Sequence, residues 1–174
     1  FVQKGGTLEG IQLWLNLPAE KKMMAANYQH IKNKDFRVVS SKDNKVNIQI
    51  IAGDLEGVYG RIKTQTPVNA FMITVEAGGS YTIKVPNSHQ STVYLLKGDV
   101  LINDSETLKL NENQLIQFNQ DGDGFSIKGI EAGIALGYFT VLVKSAASSG
   151  RNKKFKNNSA SSLCLDSSGI AMVS

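Results

Sequence analysis

One cysteine, two histidines and no long apolar run set the first limits on this chain. Cys164 has no second cysteine to pair with, so no intrachain disulfide forms and nothing calls for an oxidising compartment. It lies in a Ser-rich tail with no histidine after it and reads as an ordinary thiol, not a nucleophile. No apolar run reaches the roughly 18 residues that a membrane-spanning helix needs. Phe1 to Gly6 hold neither an initiator Met nor the apolar centre of a signal peptide, so the chain is expected to begin inside a longer protein. A phosphate-binding glycine loop, a Gly-x-Ser-x-Gly elbow and a paired-cysteine zinc pattern are all missing.

What is present fits one ordinary domain with appendages. The chain has 174 residues, 41% of them apolar and 20% charged, which suits a folded globular protein and is too short for two full domains. The net charge of +4 is local. Lys144, Arg151, Lys153, Lys154 and Lys156 against Asp166 account for all of it, and the remaining residues hold 14 basic and 14 acidic groups. The body is therefore neutral and offers no basic face for nucleic acid. The cluster Arg151-Asn152-Lys153-Lys154-Phe155-Lys156 could touch phosphates or serve nuclear import. It is read instead as a solubilising end.

Period-2 alternation predicts strands throughout. Ile11, Leu13 and Leu15 alternate with Gln12, Trp14 and Asn16 up to Pro18, and Ala19 to Met24 reads as a short helix with Met23 and Met24 filling core. Further strands are expected at Phe36 to Val39, Val46 to Ile51, Gly57 to Ile62, Phe71 to Glu76, Thr107 to Leu110, Leu115 to Phe118, Phe125 to Ile127 and Gly133 to Val143. Asp and Asn in the intervening turns are expected to bond their own backbone. Gly78 to Ile102 is the centre of the pattern, read as a hairpin broken at Lys97-Gly98-Asp99. Residues 145 to 162 show no period and are expected to form a loop or remain disordered.

Tyr94-Leu95-Leu96-Lys97-Gly98-Asp99-Val100 resembles the first motif of the cupins. That resemblance implies a His-x-His pair and a Glu as metal ligands, and the matching positions here hold Val85, Asn87 and Ser91. The second cupin motif would add a His within Asn111 to Ile127, which contain none. Gly10-Ile11-Gln12-Leu13-Trp14-Leu15-Asn16-Leu17-Pro18, with Met23 and then Asn27-Tyr28-Gln29, resembles the pirin family of bicupins. It implies that the strand closes a first cupin barrel, whose iron ligands of three His and one Glu precede residue 1. Pirins continue from the final strand into an Ala-Gly-x-Pro turn and a Gly-Pro-Phe-like segment, whereas this chain departs after about Leu136. A frame change there would produce such a break.

The candidates for chemistry inside the chain are few. His89 with Glu76 or Asp99 is read as a solvated loop histidine, and His30 likewise. Asp121 and Asp123 echo a calcium loop without its full ligand set and are read as a turn. No catalytic, cofactor-binding or metal-ligating residue is therefore assigned between Phe1 and Ser174. The expected fold is all-β: a jelly-roll cupin barrel over residues 34 to 143, a remnant of a preceding cupin over 1 to 33, and a polar basic tail over 144 to 174. The resemblance implies quercetin 2,3-dioxygenase-type activity dependent on non-haem iron in the whole protein, or else a non-catalytic interaction module or transcriptional co-regulator. This chain itself is expected to bind no cofactor. Expected partners are a second copy, through the exposed N-terminal strand, or another protein, with neither membrane nor nucleic acid. The expected location is cytoplasmic, or nuclear in a eukaryote.

Overall fold

The computed structural model describes Gly5, residues 11–141 except 87, 112, 120 and 121, and residues 160–166 and 169–173. Among them the chain forms β1 (Ile11–Asn16), β2 (Tyr28–Lys32), β3 (Arg37–Ser40), β4 (Val46–Ala52), β5 (Asp54–Leu55), β6 (Val58–Tyr59), β7 (Val68–Val75) and β8 (Ser80–Lys84). There follow β9 (His89–Lys97), β10 (Val100–Ile102), β11 (Ser105–Leu110), β12 (Leu115–Gln117), β13 (Gly124–Gly129), β14 (Gly133–Val141), β15 (Ala160–Asp166) and β16 (Gly169–Val173). The only helical pieces among the described residues are two 3-10 turns, Ala19–Lys21 and Asn33–Asp35. The fold is all-β, as the alternation predicts. No helix among the described residues is long and apolar enough to cross a membrane.

Residues 37–142 make one compact unit. Two antiparallel sheets face each other in it, one ordered β12-β9-β14-β7-β4-β3 and the other β11-β10-β13-β8, which is the jelly-roll arrangement. Inward residues of both sheets share one core: Val46, Ile48 and Ile50 from β4, Phe71, Ile73 and Val75 from β7, Val93 and Leu95 from β9, and Ile83, Val100, Ile102, Phe125 and Ile127 from the opposite sheet. The alternation on β9 is legible as buried Ser91, Val93 and Leu95 between half-buried Thr92, Tyr94 and Leu96. Such cross-sheet burial of β-branched and aromatic side chains is what holds a two-layer fold together.

The Gly78 to Ile102 stretch differs from its sequence reading. β9 and β10 do not form a hairpin, because β9 pairs with β12 and β14 in one sheet while β10 pairs with β11 and β13 in the other. Gly98, with φ of 84°, lets the chain turn the corner between sheets, a conformation that disfavours any residue with a Cβ. Val100, Leu101 and Ile102 are all buried, so the period-2 pattern is silent about which sheet they join. The tight hairpin lies one strand later, at Asn103-Asp104. Their φ values of 55° and 52° suit the two-residue turn that joins right-twisted strands, and here it joins β10 to β11.

Residues 1–36 and 143–174 make the second compact unit. Its sheet is ordered β1-β15-β16-β2, so β1 has a partner strand, and residues 160–162 of the expected loop belong to β15. Sequence alternation is weak there because Ser161 and Ser162 open β15, and β structure comes from pairing along the whole strand with Ile11–Asn16. Residues 142–159, which include the basic cluster, lie outside the described residues. The methionines also differ from expectation: Met23 is 94% exposed and Met24 38% exposed, since Ala19–Lys21 is a single turn with no apolar face to bury.

Candidate functional site

The interior of the barrel opens at one end into a cavity of about 370 Å³. Its wall is built from strand ends that alternation aims inward. Val85 continues the inner face of β8 after Ile83, His89 and Ser91 continue that of β9 before Val93, Ile116 and Phe118 come from β12 and its exit, and Phe125 from β13. Pro86, Asn103, Gln117 and Asn119 complete much of the rim. Phe118 and Phe125 stack with ring centroids 4.6 Å apart and planes 23° apart. Backbone bonds fix these ends: Phe118 N donates to Ser91 O at 2.9 Å and Val85 N to Asp123 O at 2.8 Å. Asn103 is locked to β13, its backbone N donating to Ser126 O and its Oδ1 accepting from Ser126 N.

Two features of this cavity are chemically distinctive. Ser91 is only 6% exposed, and among the described residues its hydroxyl has no hydrogen-bond partner. Leaving a hydroxyl buried and unmet costs on the order of 1–3 kcal/mol. His89 stands at the rim with Nδ1 3.2 Å from Ser88 Oγ, and burial holds its pKa below the ordinary histidine value. Burial thereby favours the neutral imidazole.

A second cavity, of about 540 Å³, shares Val85 and Pro86 with the first and is lined also by Asp54, Leu55, Glu56, Asn69, Lys84 and Asp123. Glu56 accepts a hydrogen bond from Tyr81 OH at 2.9 Å. Burial first, and then the Glu56 carboxylate, push the Tyr81 phenol up to about 12.

The structure brings Val85 and Ser91, the positions that the resemblance to cupins matches to metal ligands, together at the cavity; Asn87 and Asp121 lie outside the described residues. It keeps the other candidates apart. Asp99 pairs with Lys109 at 2.9 Å beyond the far end of β9, a strand whose nine residues span roughly 26 Å from His89. Glu76 follows β7, whose last residue Val75 sits by registration near Lys97 and not near His89. His30 is on β2 in the other unit. Asp123 presents its backbone oxygen to Val85 and lines the second cavity. Among the described residues, no three His, Cys, Asp or Glu side chains converge as a metal would need. A hydroxyl and an isopropyl group at the motif positions do not fit the N/O donor set of non-haem iron. Sequence reasoning missed the Phe118, Phe125, Asn103 and Gln117 contribution to the cavity. The signal was available only as inward alternation at four strand ends, and which ends meet is a matter of topology.

No protein-family model matches the chain. Individual proteins do. Pirin-like protein 2 of Arabidopsis thaliana is 28% identical over 122 residues, 68% of this chain and 37% of that protein. Human pirin is 27% identical over 119 residues, covering 68% and 40%. A Pseudomonas aeruginosa protein named as a candidate quercetin 2,3-dioxygenase is 32% identical over 104 residues, covering 60% and 36%. Among solved structures, a quercetin 2,3-dioxygenase of Acinetobacter baumannii superposes with a TM-score of 0.71 at 27% identity, over 75% of this chain and 45% of that one. Over that stretch the chain is similar to pirins and has the cupin fold.

The chain spans 36% to 40% of the length of these three curated relatives. The motif strand Ile11–Asn16 is formed, and the Asn27-Tyr28-Gln29 segment runs into β2. The cupin-motif segment at Tyr94 is a central strand of the larger sheet, flanked by β12 and β14.

Proposed function

We propose that this chain supplies the metal-free cupin of a pirin-like protein whose quercetin 2,3-dioxygenase-type reaction, dependent on non-haem iron, is carried by residues outside Phe1–Ser174. The observation that supports this reading most directly is the composition of the barrel end. Val85 and Ser91 occupy motif positions on the inner faces of the strands, and neither is a ligand that holds iron against water. A further cupin in the rest of the protein fits the limited share of each relative that the chain covers. A cytoplasmic location belongs to the same reading, since one cysteine offers nothing to an oxidising compartment.

The test is iron content and quercetin consumption by the 174-residue chain after expression with ferrous iron. Neither is expected. About one iron per chain, or consumption above the buffer rate, would overturn the assignment.

A second reading, a non-catalytic interaction module or transcriptional co-regulator, draws on the four-stranded sheet. Trp14 and Tyr28 are 63% and 62% exposed and share one cross-strand row through Ser162 and Val173. Exposed aromatics on one sheet face are typical of recognition surfaces. The readings separate on the full-length protein: quercetin consumption favours the first, and iron binding without consumption favours the second.

A further inference from the structure

The end cavity does more than lack metal ligands, because its lining is that of a small-molecule site. We propose that it binds a small, uncharged, planar aromatic molecule bearing one hydroxyl or carbonyl group, stacked against Phe118 and hydrogen-bonded to Ser91 Oγ. This goes beyond the pirin-like reading and does not depend on it.

Four observations converge on that ligand class. First, the hydroxyl of Ser91 is 6% exposed, points from the inner face of β9 into the cavity and has no partner among the described residues. Buried polar groups in folded proteins are nearly always met, so an unmet hydroxyl at a cavity wall identifies where a hydrogen-bonding guest would sit. Second, Phe118 is stacked on Phe125 but only half-buried, so part of its surface faces the cavity. An aromatic guest extends that stack in the offset geometry that ring quadrupoles favour. Val85, Pro86 and Ile116 supply the apolar remainder.

Third, the described lining contains no Asp, Glu, Lys or Arg. The rim groups are amides, Asn103, Gln117 and Asn119, together with His89, whose pKa burial lowers. A carboxylate or phosphate guest would be buried without a counter-charge, which is strongly unfavourable. Fourth, about 370 Å³ is at the small end of the roughly 300–1,000 Å³ typical of ligand sites. That size admits a monocyclic or fused bicyclic ring. Water is the competing occupant, and the probe must displace it.

The probes are 2-naphthol, naphthalene and 2-naphthoate, titrated into the 174-residue chain at pH 7 by calorimetry and ligand-observed NMR. Saturable one-site binding of 2-naphthol is expected, with naphthalene weaker and 2-naphthoate unbound. Ser91→Ala should weaken 2-naphthol about three- to ten-fold, the value of one hydrogen bond, and leave naphthalene unchanged. Phe118→Leu should weaken both neutral probes. Ser91→Ala removes only an unmet hydroxyl, so the test survives if the Phe118 variant fails to fold. The proposal is overturned if the folded chain shows no saturable 2-naphthol binding, if Ser91→Ala affects both neutral probes alike or neither, or if 2-naphthoate binds as tightly as 2-naphthol. None of these outcomes bears on iron or quercetin, so the pirin-like reading stands or falls separately.

Discussion

Tyr81 and His89 carry the pH dependence that the structure makes readable. The Tyr81 phenol, half-buried and bonded to Glu56, has its pKa raised from 10.0 to about 12. The folded state therefore keeps a proton that the unfolded chain has already lost, and stability falls as pH rises from 10 towards 12. Urea midpoints should decline over that window, and Tyr81→Phe should decline less. Equal declines would show that the Tyr81 phenol is not held protonated by burial and Glu56. His89 has the opposite arrangement, with its neutral form favoured by burial. Its contribution is present above pH 6.5 and is lost as pH falls through the lower folded value. An imidazole titration by NMR should find a midpoint below 6.5, and one above it would refute burial as the dominant cause. Asp43 shows the commonest residue-level device: its Oδ1 accepts from Ser41 Oγ at 2.5 Å and from Lys45 N at 3.1 Å, which lowers its pKa. This is the self-bonded turn that Asp-Asn after Lys42 predicts.

At the scale of elements, β9 is both the spine of the larger sheet and the wall of the cavity. Leu95 is fully buried among residues of both sheets, and Leu95→Ala should cost about 2–5 kcal/mol by equilibrium denaturation. A cost below 1 kcal/mol would mean that the two sheets are not packed there. The corner after β9 makes a separate prediction. Gly98→Val forces a branched side chain to φ of 84°, and about 1–2 kcal/mol should be lost, with little change in the 2-naphthol affinity expected of the distant cavity end. Strand existence was legible from alternation, and so was the inward set on β9. The partners of β9 and β10 were not, because Val100 to Ile102 are buried on both faces and a fully apolar triplet has no readable side. β2, β15 and β16 were missed for a different reason. Short segments with polar openings gain strand character only from neighbours that are distant in sequence.

For the whole molecule, the question is what the four-stranded sheet meets. β1 is an edge strand among the described residues, and Trp14 beside that edge is 63% exposed. Edges of this kind pair with other chains unless charge blocks them. We propose that two copies associate through it. Sedimentation should show a concentration-dependent dimer, and Trp14→Lys should shift it towards monomer. A wild-type chain that stays monomeric at high concentration would reject the proposal.

Composition and alternation by themselves determined that the chain is all-β, and two motifs carried the resemblance to cupins and pirins, with Val85 and Ser91 where that resemblance implies metal ligands. The all-β conclusion rests on local chemistry: which side chains are apolar and how often they recur. Only the tertiary structure decided that β9 and β10 part into opposite sheets, that β15 and β16 stand between β1 and β2, and that Ser91, Phe118 and Phe125 share one cavity. Each depends on the pairing of segments far apart in the chain, and a pairing register is an energy of the assembled sheet, not a property of any one strand.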